Sequence, residues 1–338
     1  MKRFILYSCC ITCRGFIQST IIDVQRQNVY CISNDMFDFI TDLKSSNIKT
    51  LRHKYKNTDT YIKYLESKEL GFWTENSQCF PSINWAYNSP YLISNAILVI
   101  TEKSNHDYQK IYTSLKKIFC QALEIRILYK IPNEKLNEIL SLQEQVQTSL
   151  YSVTLVLPFS VIEDKAINAM VNSYHRITSL YIYASPYDYE YKIGNVVISM
   201  TSKLYLECGN ITKKNFSPNL KMCIDSYNRN NCLNEKICID YDGTIKNCPS
   251  MNIGYGNIAT EDLRNVLKRK DFLSFWHLTK NEIKVCKDCE FRLICPDCRA
   301  FTFNQKDLLS HPLKCKYNPY LAIWEGEEGF HSIEPIKR

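Results

Sequence analysis

The spacing of hydrophobic and polar positions changes twice along this chain, and the changes divide it into three. In the first 85 residues the apolar runs are short. Residues 3–12 are apolar and strand-like. Ile21-Ile22-Asp23-Val24 and Val29-Tyr30-Cys31-Ile32 flank Gln25-Arg26-Gln27-Asn28, which predicts a hairpin because polar turn residues separate two β-prone runs. Ser33 or Asn34 can cap a helix that carries Met36, Phe37, Ile40 and Leu43 at helical spacing. Thr58 or Asp59 can open a second helix with Tyr61, Ile62 and Leu65, and residues 70–74 read as a short strand. Strands, two helices and a terminal β-wing predict a winged-helix-like domain over residues 1–85.

From residue 90 the pattern becomes strand, helix, strand. Apolar strands are predicted at 96–100, 125–128, 152–157, 180–183 and 196–200, with amphipathic helices at 108–121, 133–149 and 164–175. Alternation of this kind predicts a parallel sheet covered by helices, so the fold class is α/β. Over residues 90–205 it gives an incomplete (β/α) barrel or an open sheet. Its active site would lie at the C-terminal strand ends. Little chemistry is found there: Glu102 and Lys103 after the first strand, Pro158 after the third, and His106 and His175 as lone histidines.

Composition moves attention to the last third. The 338 residues include 16 cysteines and only 9 glycines. No Gly-x-x-x-x-Gly-Lys phosphate loop occurs, and Gly254-Tyr255-Gly256 follows no apolar strand, so a nucleotide loop is not supported. The apolar run after Met1-Lys2-Arg3 is shorter than the roughly 7–15 residues of a secretion signal. No run approaches the ~20 apolar residues of a membrane span. A reducing cytoplasm is therefore the expected setting, where clustered thiols read as metal ligands before disulfides. The net charge of +7 is mild, and the Lys268-Arg269-Lys270 run reads as a solvated helix face rather than a nucleic-acid surface.

Eight cysteines form two groups: Cys232, Cys238 and Cys248, then Cys286-x2-Cys289-x5-Cys295-x2-Cys298 with Cys315. Thiolates suit iron–sulfur clusters and zinc, and Cys-x-x-Cys lets one turn present two sulfurs to one centre. Eight thiolates are enough for two four-ligand sites. A hairpin is predicted around Asp242-Gly243; a three-residue loop ending at Gly243 would put Cys238 opposite Lys246 and leave Cys248 on its face. By contrast, Cys9-x3-Cys13 continues to Phe16, so the Cys-x-x-x-Cys-x-x-Cys triad of radical SAM enzymes is incomplete, and Cys9, Cys10 and Cys13 read as buried small side chains. Cys208 and Cys223 fall outside the spacing.

Residues 232–315 resemble a SPASM domain, the auxiliary-cluster domain of peptide-modifying radical SAM enzymes. The resemblance is carried by Cys232 to Gly243-x4-Cys248, Gly256-Asn257-Ile258, a helix through Phe272 and Trp276, Cys286 to Ala300, and Cys315. It implies two [4Fe–4S] clusters, one on Cys232, Cys238, Cys248 and Cys298, the other on Cys286, Cys289, Cys295 and Cys315. The whole chain resembles the SPASM-domain peptide maturase of grasp-with-spasm systems, which lacks the radical SAM motif and accompanies an ATP-grasp ligase and a ribosomal precursor peptide. The N-terminal region then resembles a peptide-recognition element, residues 90–205 a degenerate radical-SAM-like barrel, residues 206–325 the SPASM domain, and 326–338 a tail. No S-adenosylmethionine is expected, nor a membrane or nucleic-acid partner. Whether the chain is itself an enzyme or a non-catalytic partner stays open. Two zinc ions on the same thiolates, stabilising a winged-helix DNA-binding or structural protein, form the alternative. Two loaded clusters would add about −4 to the +7.

Overall fold

The computed structural model describes residues 2–86, 89–159, 164–204 and 208–333. The chain forms two compact units. The first comprises Met1–Tyr87, Gly209–Asn231 and Leu278–Arg338; the second comprises Asn88–Cys208 and Cys232–His277.

In the first unit the apolar run at 3–12 is two strands, not one. Cys10 N–H closes a turn onto Tyr7 C=O at 2.9 Å, which separates β1 (Arg3–Leu6) from β2 (Cys10–Arg14). The hairpin forms as its turn residues predict: β3 (Gln18–Asp23) and β4 (Asn28–Ser33) pair with Ile22 opposite Val29. Asp23 Oδ1 holds the turn by accepting from the Gln25 and Arg26 amides, each at 3.0 Å. Ser33 caps α1 (Asn34–Leu43) by accepting from Met36 N–H. A short α2 (Ile48–Lys54), capped by Asn47, follows; with Leu51 its one buried residue, it has no apolar stripe to announce it. Next come α3 (Thr58–Ser67) and β5 (Gly71–Thr74), which pairs antiparallel with β1. The α2 helix and the separate β1–β5 pairing are additions to the expected pattern.

The three-stranded sheet β2–β3–β4 buries both faces, in step with the period-2 alternation of strands. Ile21 and Ile32 join Phe39, Ile40 and Leu65 of the helices in one core. Ile11, Cys13 and Ile22 turn the other way and pack with Phe291, Leu293, Cys295, Tyr317 and Trp324. The far side of this sheet is therefore the floor beneath the cysteine-rich segment.

The second unit is built on an eight-stranded, mostly parallel sheet. Along the chain it has β6 (Asn95–Ile100), α4 (Tyr108–Lys117), β7 (Ala122–Ile127), α5 (Asn133–Gln145), β8 (Ser152–Pro158), α6 (Asp164–Ser173), β9 (Ile177–Tyr183), β10 (Tyr189–Ile193) and β11 (Val196–Met200). Helices α4 and α5 stop short of their expected ends because Phe119 and Gln147 take positive φ, 53° and 51°, and turn the chain away. Helix α7 (Leu220–Asn228) belongs to the first unit. The chain then adds β12 (Lys236–Ile239) to the second unit, parallel to β6, with β13 (Ile245–Lys246) folded back beside it. The strand order is β10-β11-β9-β8-β7-β6-β12-β13, with an antiparallel strand at each end. The sheet thus holds three strands more than the five the apolar runs predict, because β10 has exposed tyrosines and charges and β12–β13 come from the cysteine-rich third. Short α8 (Leu263–Val266) and α9 (Lys270–His277) follow, the latter burying Phe272, Phe275 and Trp276. The first unit ends with β14 (Tyr317–Asn318) paired to β15 (Ile323–Trp324). Among the described residues, no helix is long and apolar enough to cross a membrane.

Candidate metal centre

Residues 278–333 contain little regular structure, so side-chain bonds and packing position their cysteines. Cys286 and Cys289 lie at the two ends of a single 3₁₀ turn, with Cys289 N–H on Cys286 C=O at 3.1 Å. Val285 enters it at a φ of 68°. Cys295 and Cys315 arrive from elsewhere in the segment, and all four cysteines line one cavity. Its other walls are mainly apolar, with Ile211, Phe216, Phe291, Tyr317 and Trp324. The rings support one another: Phe216 lies 4.9 Å from Phe291, and Tyr317 lies 4.7 Å from Trp324. Four soft sulfur donors in an apolar, largely water-excluded wall suit an iron–sulfur cluster, whose thiolate ligands the fold would have to shield.

Burial raises the thiols of Cys286, Cys289 and Cys315. It pushes Cys315 up to about 11, Cys286 further and Cys289 well above the ordinary range. They are therefore thiols at neutral pH unless a metal displaces their protons, which makes metal loading proton-releasing. Lys280 lines the same cavity at 3% exposure, and its Nζ donates to Pro296 C=O at 2.9 Å. Desolvation pushes its amine down; Cys295 and Cys286, once they are thiolates, and Asp297 oppose this and favour the ammonium.

The floor of this region is the β2–β3 hairpin. Thr20 Oγ1 donates to Glu290 C=O at 2.9 Å, and Gln18 Nε2 donates to Glu290 Oε1 at 2.8 Å. Phe16 N–H donates to Asp288 C=O at 2.8 Å, while Arg292 donates to Arg14 C=O. Gly15 permits the approach: a Cβ there would stand 2.5 Å from Gln18 C=O and 2.9 Å from Glu290 Cβ. Glu290 is fully buried, bonds Tyr317 Oη, and has its carboxyl raised by desolvation.

The second unit holds Cys232, Cys238 and Cys248. Gly243 N–H bonds Asp240 C=O at 2.9 Å, Gly243 takes a φ of 85°, and Cys238 pairs with Lys246, the register expected of the three-residue loop. Desolvation raises Cys238 well above the ordinary range, with Asp240 and Cys248 adding to it; it pushes Cys248 up to about 11, with contributions from Cys232 and Cys208. Lys236 Nζ donates to Cys232 Sγ at 3.8 Å. Cys298, which the resemblance joins to this set, lies in the first unit, where its Sγ is 3.0 Å from the position a Cβ on Gly209 would take. Its neighbours are held rigidly. Asp297 and Arg299 form a 2.6 Å ion pair with both side chains 1% exposed, and Asn230 donates to Asp297 Oδ2 at 2.7 Å.

Sequence spacing identifies the thiols but not their cationic and polar partners. Lys236, Lys280 and Thr20 have no motif, and the matching segment around Glu290 does not state its role; their placement in the fold reveals them. Among the described residues, Cys9, Cys10 and Asp23 are the group whose ligand atoms all lie within 4.8 Å. Asp23 there caps the hairpin turn and pairs with Arg26 at 3.1 Å, which accounts for its burial. Cys13 points into the core beneath Cys289.

Residues 231–290 match the family model of SPASM, an iron–sulfur cluster-binding domain. The match spans Cys232, Cys238, Cys248, Cys286 and Cys289. No curated protein matches the chain. Among solved structures, Streptococcus suis SuiB aligns at 10% identity over 92% of this chain and 99% of its own, with a TM-score of 0.42. SuiB bound to S-adenosylmethionine aligns at 12% identity over 89% and 96%, with a TM-score of 0.38. SuiB bound to precursor peptide SuiA aligns at 11% over 89% and 96%, with a TM-score of 0.37. Scores this low establish neither fold nor function for this chain.

Proposed function

We propose that the protein is a maturation factor for a ribosomally made peptide, that it carries two [4Fe–4S] clusters, and that it works with an ATP-grasp ligase. The carrying observation is the cavity lined by Cys286, Cys289, Cys295 and Cys315, the same four thiols that the SPASM resemblance implies for one cluster. The SPASM match over 231–290, which includes Cys286 and Cys289, supports the cluster reading. The second cluster is assigned to Cys232, Cys238, Cys248 and Cys298. The clusters serve to order the cysteine-rich segments, since four cysteines each leave no open iron for a substrate.

Peptide binding is assigned to the winged-helix-like N-terminal region. A groove of 610 Å³ there is lined by Tyr7, Leu43, Lys44, Phe80, Trp85 and Arg292 among others. Its aromatic walls and cationic rim suit an extended peptide with apolar and acidic side chains.

Two measurements test this reading. Anaerobically purified protein is expected to contain about eight irons and eight sulfides per chain, the stoichiometry of two cubane sites. Zinc without iron would replace the cluster reading by the zinc-stabilised alternative. Co-purification with the ligase or its precursor peptide is expected; binding to neither would sink the maturation reading.

A further inference from the structure

We propose that Lys280 is the charge-setting residue of the four-cysteine centre in the first unit: its buried ammonium favours the more negative, reduced state of a bound cluster. This rests on the cluster reading above and adds a residue to it.

Lys280 is 3% exposed; its Nζ donates to a neutral carbonyl, Pro296 C=O, at 2.9 Å and lies against the Cys295 sulfur. A buried ammonium costs several kcal/mol unless an anion faces it. The nearby carboxylate, Asp297, is already engaged by Arg299 at 2.6 Å and Asn230 at 2.7 Å. Among the described residues, the remaining sources of negative charge in the cavity that Lys280 lines are its cysteines, Cys286 and Cys295 among them, which become thiolates on binding metal.

The other basic groups lining the cavity do not duplicate this role. Arg292 is cationic too, but it is only partly buried, bonding Arg14 C=O, Cys289 C=O and Asn281 Oδ1 near solvent, which screens its charge. His311 is held toward its neutral form by desolvation and by Arg299. The second unit repeats the device on an unrelated segment, where Lys236 lies 3.8 Å from Cys232 Sγ. Four thiolates on a cubane core of about +2 carry about −2, and one further electron makes it about −3. A fixed positive charge stabilises the second state more, so it raises the reduction potential.

The test is a redox titration of anaerobically purified wild-type, K280M and K280R proteins, followed by EPR with iron and sulfide content measured on each. The wave lost in a C286A/C289A variant belongs to this centre. K280M is expected to keep its iron and lower the reduced-to-oxidised ratio at fixed potential about tenfold, which is ~59 mV for a one-electron couple. K280R is expected to restore it. Loss of iron in K280M with retention in K280R also supports a charge role. An unchanged wave in iron-replete K280M overturns the proposal, and so does equal loss of iron in both variants. Wild-type protein without iron at these cysteines overturns the cluster reading itself, and the proposal with it.

Discussion

Thr20 shows how far a single side chain reaches in this molecule. It lies on a strand of the N-terminal sheet, yet its hydroxyl is the partner of Glu290 C=O, next to Cys289. Thr20→Val keeps the shape and removes the donor. It is expected to cost about 1–3 kcal/mol, the cost of an unpaired buried carbonyl, read as a lower denaturant midpoint with reduced iron retention. Gly15→Ala should be at least as damaging, because the added carbon meets Gln18 C=O and Glu290. Cys298 and Cys208 present a direct comparison. The assignment of Cys298 as fourth ligand predicts that Cys298→Ala loses about four of eight irons on the stoichiometry of cubane sites, while Cys208→Ala keeps them. The reverse pattern in iron analysis would transfer the role to Cys208, which is near enough to Cys248 to raise it. His106 supplies a pH dependence. Desolvation lowers it below its ordinary 6.5, although its ring bonds Val99 C=O at 3.0 Å and Asp242 and Asp240 oppose the shift. The unfolded chain therefore takes up a proton before the folded one does, and stability falls as pH drops below 6.5. Denaturation curves of His106→Gln should lose that acid-side decline.

At the scale of elements, the sheet β2–β3–β4 decides most. A strand that buries one face shows a clean alternation; these strands bury both, so Ile21 and Ile22 serve different cores. Ile22→Ala should cost about 2–5 kcal/mol, as large-to-small core changes do, and loosen the floor beneath Cys289 and Cys295. Hydrogen exchange of residues 286–298 would report it; unchanged protection there would argue against that coupling. The β12–β13 hairpin shows the opposite case, where local chemistry suffices. Asp242-Gly243 is a turn signal, only glycine easily takes the φ of 85°, and the resulting register sets Cys238 opposite Lys246.

For the molecule as a whole, the segment Leu278–Arg338 shares a compact unit with Met1–Tyr87, although the two are far apart in the chain. Among its described residues it has one 3₁₀ turn and two two-residue strands, so it has little backbone ladder of its own. If clusters are bound, they act as its crosslinks, because ligation energy is also folding energy. Chelation or oxidative loss of iron should make this segment the first to be cut in limited proteolysis, with the parallel sheet of the second unit protected longer. Equal cleavage with and without metal would show that packing alone holds it.

Several features follow from the sequence by itself because they depend on neighbours in the chain. The cysteine spacing, the turn at Gly243, the cap at Ser33 and the strand–helix alternation of residues 95–200 are of this kind. Tertiary structure decided the rest. It brought Cys286, Cys289, Cys295 and Cys315 to one cavity and split the run at 3–12. It also set β12 against β6, and placed Lys280 and Lys236 against sulfurs. None of these has a local signal. A lysine in a polar stretch reads as solvent-exposed until the fold removes the water around it, and a strand reads as one-sided until a distant segment covers its second face.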